Sequence, residues 1–487
     1  MRNETKLLAL LFLILLGVRL YLTFQQPGLV LDAYKEVRNL QLVEKKIFPT
    51  YDQLSFGGKK VVVLPLGYFV YAFFDVFLPK MLLFKLLPNL FLAGLFLLFY
   101  WISRDVISDK RIAILASFAC AVMPVIFADV FSFSTLIIAV LVYLVLIKFL
   151  MNMREHNLKY IAIIMLLLPF IHVSAVLIGV GFLIYLLLVK FERLKQRRIE
   201  LEVLLFFFVY IIWIYLVLFK GALLMHGIDV FWQNAKHSRY AVDFLKFVRD
   251  VGAIPLLCVV FLIYKYFFVS KDKRVYLLTS FFIASFVFYL FRFLAEKEIL
   301  LLVSCFVGLI FIRFIEDFYR YLSKTKFDGV KEKLVAGFLI FVILMNIFFG
   351  FVLLNEHKKL VSSEDSIKAM KWLREHTPED AVIVASLQEG SMVAAIAQRK
   401  NIADTNRLFS KDVLMREVDI KRLYLTPFKT DAVRTMCDYN AEYLVFSGFT
   451  KKIFGIEHLA FAEPDCFELV RDGETKIYKR TCELKTR

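Results

Sequence analysis

Long apolar runs separated by short polar turns organise the first 355 residues. Runs that reach or approach the ~20 residues needed to cross a bilayer lie at 7–24, 61–78, 82–102, 111–128, 134–151, 160–171, 173–190, 203–219, 252–269, 276–292, 299–315 and 334–354. Charge gathers between these runs and after residue 355. Hydrocarbon offers no water to backbone groups, so long helices form there and ionic side chains are pushed to their ends. The runs at 160–171 and 173–190 are joined by a tight turn at His172. The first run follows Arg2 and Lys6, but no small-residue cleavage site precedes Gln25. It reads as an uncleaved span.

The run at 61–78 is long enough to span, yet it holds Pro65, Gly67 and Asp75, and only Leu78 to Lys80 separate it from the next run. The excess of Lys and Arg in cytoplasmic loops decides its place. With this run left out and the N-terminus in the cytoplasm, the basic loops all fall on one side. They hold Arg104, Lys110 and Arg111; Arg154 and Lys159; Arg193, Lys195, Arg197 and Arg198; Lys271, Lys273 and Arg274; and Lys324, Lys326, Lys331 and Lys333. Counting 61–78 as a span moves every one of them outside. The pattern therefore predicts about eleven crossing helices, with 61–78 at the outer interface or re-entering and the C-terminal domain outside.

Two outer segments are long, 25–81 and 220–251. The second carries His226, Asp229, Trp232, Lys236, His237, Arg239 and Asp243. Tyr34, Tyr51, Phe56, Trp232 and Tyr240 mark these segments as interfacial rather than disordered. From residue 356 onward the pattern changes to that of a soluble α/β domain. Ser362 or Ser363 caps a helix to about Glu375, Ala381–Ser386 is a buried strand, and Ser391–Arg399 is helical. A further helix covers Asp412–Tyr424 with Ser410 as its cap, Glu442–Phe446 is a strand, and Cys466–Lys479 is a hairpin turning at Asp472-Gly473. The domains are thus 1–355 and 356–487.

Composition supports the bilayer reading. Hydrophobic residues make up 60% of the chain, well above the ~45–50% of a soluble domain. The net charge of +17 lies largely in short loops rather than on one soluble face, so it reports topology and not nucleic-acid binding. Cys120, Cys258 and Cys305 fall in apolar runs and act as small hydrophobes. Cys437, Cys466 and Cys482 fall in the C-terminal domain, where an extracytoplasmic location permits one disulfide between two of the three. No P-loop, GxGxxG, HExxH or GxSxG is present, which removes most support from nucleotide-driven transport and zinc proteolysis.

The candidate chemistry lies at the outer ends of the spans. Asp32 follows the first span, and on a helix it shares a face with Glu36. A carboxylate there can deprotonate an acceptor hydroxyl or help hold a divalent cation such as Mg or Mn; an ordinary charged loop is the plainer reading. Asp129 ends the 111–128 run, either as a simple terminus or as a second acid. Lys85 can bind a donor phosphate or reach for the headgroups. His172 is a substrate contact or a hydrogen-bonded turn residue. Arg292 is a phosphate clamp or a helix-end cation.

The stretch from Asp32 through Pro49, Asp52, Ser55, Gly57 and Gly58 to Pro65–Tyr68 resembles the first outer loop of the GT-C superfamily of membrane glycosyltransferases. The following KLLPNLFLAGLFLLFYWISRDVISDKRIAILAS resembles that superfamily's second and third helices. The resemblance implies a polytopic α-helical membrane protein, a polyprenyl-phosphate sugar donor with its lipid tail in the bilayer, and sugar transfer at the outer face. It implies Asp32 as base or metal ligand, Asp129 as a second acid or metal ligand, and Lys85 or Arg292 beside the leaving phosphate. SIKAMKWLREHTPEDAVIVASLQEGSMVAAIAQRKNIADTN resembles the start of the soluble domain in oligosaccharyltransferase catalytic subunits. Their WWDYG motif is matched here by Ser386, Leu387, Gln388, Glu389 and Gly390, of which only the glycine agrees. That departure argues against glycosylation of Asn sequons. It also keeps open a non-catalytic membrane scaffold with the same fold. A transporter, the third option, would bury charges near mid-membrane, and few are found there.

Overall fold

The eleven apolar runs other than 61–78 each coincide with a helix or a broken pair of helices in the computed structural model. It describes residues 2–153, 155–195, 197–227, 230, 243–410 and 412–483. Arg154, Asp229, Trp232, Lys236, His237, Arg239 and Tyr240, singled out above, lie outside the described residues. Among the described residues, six helices are long and apolar enough to cross a membrane, and a bent pair would make a seventh. Three shorter apolar helices, Thr135–Met151, His156–Phe170 and Ala175–Phe191, accompany them.

The breaks have local causes. Lys110–Ala121 stops before Pro124, which opens the short helix Pro124–Ala128 from its first-turn position. Phe244–Val251 meets Ala253–Phe268 at 96° across Gly252, whose φ of +110° suits glycine. Glu296–Leu322 is the central helix, with 83% of its apolar window buried, against 22% for the first span.

A buried arginine fixes the top of the bundle. Arg19, in the first span, donates to the carbonyls of Ile126 (2.6 Å) and Asp129 (2.7 Å) and to Asn89 Oδ1 (3.1 Å). Those carbonyls belong to the last turn of Pro124–Ala128, where the helix leaves acceptors unpaired. The charge in this span therefore serves as a helix cap.

The first outer segment folds against both the bundle and the C-terminal domain. Its helix Ala33–Lys45 is followed by an antiparallel ribbon of β1 (Tyr51–Asp52) and β2 (Lys59–Lys60). The 61–78 run forms only the helix Pro65–Asp75, 11 residues long. That is about 16 Å at 1.5 Å per residue, roughly half of the ~30 Å hydrocarbon thickness. Its buried side holds Gly67, Tyr68 and Tyr71, while Phe73 and nearby Phe77 are exposed.

The C-terminal domain is a five-stranded sheet in the order β4-β3-β5-β7-β6: β3 (Val382–Val384), β4 (Lys400–Asn401), β5 (Ala441–Phe446), β6 (Phe467–Arg471) and β7 (Lys476–Arg480). β3 runs parallel to β4 and β5, and β7 is antiparallel to β5 and β6. Ser363 caps Glu364–His376 by accepting from Ser366 N at 3.1 Å. Ser410 does not cap the next helix: Val413–Leu425 starts after Asp412 with no side-chain cap. The helix expected at Ser391–Arg399 starts earlier, at Leu387, and ends in a π-turn at Val393–Ala397. The disulfide joins Cys466 to Cys482 and leaves Cys437 free.

Backbone pairing welds this domain to the outer segment. Val30 bridges Val361, Ser362 N donates to Leu29 O (3.0 Å), and Tyr34 Oη meets Ser362 Oγ at 2.7 Å.

Candidate active site

Asp32 sits where Ala33–Lys45 begins, the position at which an aspartate ordinarily caps. Its side chain makes no capping hydrogen bond and is exposed. The carboxylate therefore faces solvent at the junction of helical bundle and C-terminal domain. Its charge acts on Arg407 of that domain and on Glu298 of the central helix. One turn on, Lys35 acts on Glu298 and on His172, and Glu36 also acts on His172. Glu36 accepts from Tyr68 Oη, which in turn accepts from Asn39 Nδ2 at 3.0 Å.

His172 is a buried turn residue. Its Nδ1 accepts from Ser174 N (3.1 Å) and meets Ser174 Oγ at 2.9 Å, which leaves the proton on Nε2. That nitrogen lies 3.9 Å from Glu298 Oε1. Burial lowers the imidazole to about 4, so it is neutral at physiological pH. Tyr215 Oη donates to His172 O at 2.9 Å and locks the turn.

Asp129 belongs to a neighbouring, more buried network. Lys297 Nζ lies 2.6 Å from Asp129 Oδ1, and Ser132 Oγ bonds to the same oxygen. Burial alone would raise the Asp129 carboxyl; Lys297 and Ser132 outweigh it and hold the group below the ordinary carboxylate value. Lys85 donates to the carbonyls of Gln26 (2.6 Å) and Pro27 (3.2 Å), so two of its three N–H groups fasten the outer segment to Lys80–Ser103. Tyr71 feels both Glu36 and Asp129, which makes the two networks neighbours. Arg292 closes Lys273–Phe291 in the left-handed region at φ +56°, and its charge acts on Tyr289.

The structure thus groups Asp32, Glu36 and His172 in one electrostatic cluster and Asp129 with Lys297 and Ser132 in another, while Lys85 is taken up by backbone carbonyls of the outer segment. The sequence reading assigned no role to Glu298, Lys297 or Arg407. Glu298 and Lys297 open the central helix as Glu-Lys-Glu, a signal that was readable at its first turn. Arg407 lies in a loop far along the chain, and nothing local marks it.

Among the described residues no group of three His, Cys, Asp or Glu is placed to hold a metal ion. Asp129, one of the two expected ligands, already has an ammonium on its carboxylate. A divalent cation held between Asp32 and Asp129 does not fit that arrangement.

The Pro49–Gly58 stretch is a docking element. Arg38 clamps Asp52 with two hydrogen bonds (2.6 and 3.2 Å), and Asp52 accepts from Leu54 N at 3.0 Å. Ser55 Oγ donates to Asp404 at 2.6 Å, and Phe56 N donates to Asn401 Oδ1 at 2.8 Å. Gly58 has φ +121°, and a Cβ there would meet the Tyr51 hydroxyl at 2.4 Å, so the position requires glycine. The stretch matched to WWDYG has a different role. Glu389 is buried and accepts from Ser386 Oγ (2.6 Å), Ser447 Oγ (2.5 Å) and Thr450 Oγ1 (2.8 Å). It pins a helix to the sheet and offers no open face to an acceptor.

No family model and no curated protein matches the chain. Solved structures do. The apo oligosaccharyltransferase of Archaeoglobus fulgidus superposes with a TM-score of 0.66 at 11% identity, covering 90% of this chain and 69% of that one. ArnT from Cupriavidus metallidurans, solved with undecaprenyl phosphate, gives 0.60 at 13% identity and covers 98% of both chains. The archaeal enzyme AglB with an inhibitory peptide and a dolichol-phosphate gives 0.55 at 11% identity, covering 89% of this chain and 69% of its own. The chain shares the fold of these solved structures.

Proposed function

We propose that this protein transfers a sugar from a polyprenyl-phosphate-linked donor to an acceptor at the extracytoplasmic face of the cell membrane. The observation that carries this reading is the state of Asp32: exposed, free of capping duty, and set beside the charges of Arg407 and Glu298. Solved relatives of the same fold hold undecaprenyl phosphate and a dolichol-phosphate, which supports the donor class.

In this account the Asp32 carboxylate takes the proton from an acceptor hydroxyl. The oxygen attacks the anomeric carbon of the donor sugar as the bond from that carbon to the phosphate oxygen breaks. The bonding pair leaves with the polyprenyl phosphate. Lys35 and Arg407 offset the charge that develops there. Lys85, through its remaining N–H, and Arg292 are further candidates for the phosphate. Glu36, held by Tyr68, and neutral His172 lie beside Asp32. The base role for Asp32 is preferred to a metal-ligand role because Lys297 already neutralises Asp129.

The test is purified protein incubated with short-chain polyprenyl-phosphate sugars and a panel of hydroxyl-bearing lipid acceptors. Equal release of polyprenyl phosphate and glycosylated acceptor is expected. Failure to bind any polyprenyl phosphate would leave the membrane scaffold as the better reading.

A further inference from the structure

A polar cavity lies at the other end of the bundle. It measures about 400 Å³ and is lined by Asp105, Lys148, Asn152, His156, Asn157 and Arg274, with apolar neighbours. It opens where Lys80–Ser103 and Thr135–Met151 finish. Lys85, by contrast, is in the second turn of the first of these helices. That helix has 24 residues, so its ends are about 36 Å apart. The cavity is separate from the candidate active site.

We infer that this cavity binds the phosphate of an anionic membrane-lipid headgroup. Lys148 is matched by Asp105 and also donates to Trp101 O at 2.8 Å, so that pair contributes little net charge. Arg274 Nη2 donates to Asn152 Oδ1 at 3.1 Å. Among the described residues this is its guanidinium's one hydrogen bond, so it brings an unbalanced positive charge and further N–H donors to the rim. His156 and Asn157 add further polar groups. A fork of N–H groups on one cation suits a phosphate.

The surroundings point to a lipid rather than to phosphate in solution. Trp101 packs edge-on against Phe149 at 6.1 Å, and Phe149 stacks on Tyr160 at 5.8 Å. Lys148 lies over the Trp101 ring at 5.2 Å. Tyr160 is exposed, as an aromatic at headgroup level is. From there the helix Glu155–Leu167 presents exposed Ile163, Leu166 and Leu167, a face for acyl chains directly beyond the cavity. Cation-lined pockets between helix ends recognise phosphate headgroups in this way.

The test uses delipidated full-length protein in a neutral detergent, with binding of phosphatidylglycerol read by native mass spectrometry. Wild type should bind it at least about tenfold more tightly than phosphatidylcholine, whose choline cation cancels the charge of its phosphate. The double variant Arg274→Gln/His156→Gln should lose that preference while melting within a degree or so of wild type. Both positions are exposed, so the fold should survive. Should it not, Arg274→Lys keeps the charge and should keep the preference. Unchanged phosphatidylglycerol binding in a folded double variant overturns the site. Equal binding of the two lipids by wild type overturns the lipid class. Displacement of the lipid by millimolar inorganic phosphate would show a free-phosphate site and overturn the lipid reading.

Discussion

The Lys297 ammonium lies 2.6 Å from the Asp129 carboxylate, joining the end of Pro124–Ala128 to the first turn of the central helix. Asp129 is almost fully buried while Lys297 is about a third exposed. Lys297→Met should therefore destabilise by up to about 3 kcal/mol, because it strands a buried charge. Asp129→Asn should cost less, and the double variant should recover part of the loss. The pair also predicts an acid response. Asp129 is held below 3.8 when folded, so its contribution is complete above that pH and is lost as pH falls through the depressed value. Thermal melts of the four proteins across pH 3–7 check both points, and strictly additive single-variant effects would contradict the coupling.

Glu389 makes the opposite case. Burial raises its carboxyl, and bonds from Ser386, Ser447 and Thr450 only partly offset this. Its stabilising form is the protonated one, so the benefit is present below 4.5 and is lost as pH rises through the raised value. Glu389→Gln should be neutral or slightly stabilising at pH 7 and should leave transfer unchanged. Glu389→Ala should cost about 1–3 kcal/mol, since it leaves buried hydroxyls without an acceptor. A large loss of activity in a well-folded Glu389→Gln variant would restore an acceptor-binding role to this stretch.

We propose that the C-terminal domain lies outside, a placement that the disulfide and the basic loops both support. Cys466 and Cys482 close a separation of 16 residues, worth about 3 kcal/mol in a chain-entropy account. Protein from cells should show a reduction-sensitive shift lost in Cys466→Ser, and a cysteine placed near residue 480 should react with an impermeant reagent in intact cells. Labelling near residue 195 instead, with protection at 480, would reverse the topology.

The sequence made the helices legible because each apolar run had to satisfy its own backbone bonds. Loop charge argues against 61–78 as a span, and the helix there covers only Pro65–Asp75. Asp32 and Glu36 were visible as a helical pair, and Cys466–Lys479 as a hairpin. Arg407 and Asp404 were not, because their partners at Asp32 and Ser55 are more than 340 residues away. The π-turn after Met392 and the helices Lys429–Asp438 and Gly448–Phe454 also went unseen. Their short, mixed sequences carry little periodic signal, and tertiary packing decides them.

The account stands most directly on Asp32. The variant Asp32→Asn keeps the shape but loses the charge and the basicity. Its position is exposed, so stability should change little. Purified wild type and variant, both monodisperse, should be compared in single-turnover release of polyprenyl phosphate. The account predicts a fall of about 10²–10⁴-fold in rate, with donor binding retained. Wild-type turnover in the Asn variant would remove Asp32 from the chemistry and contradict the account.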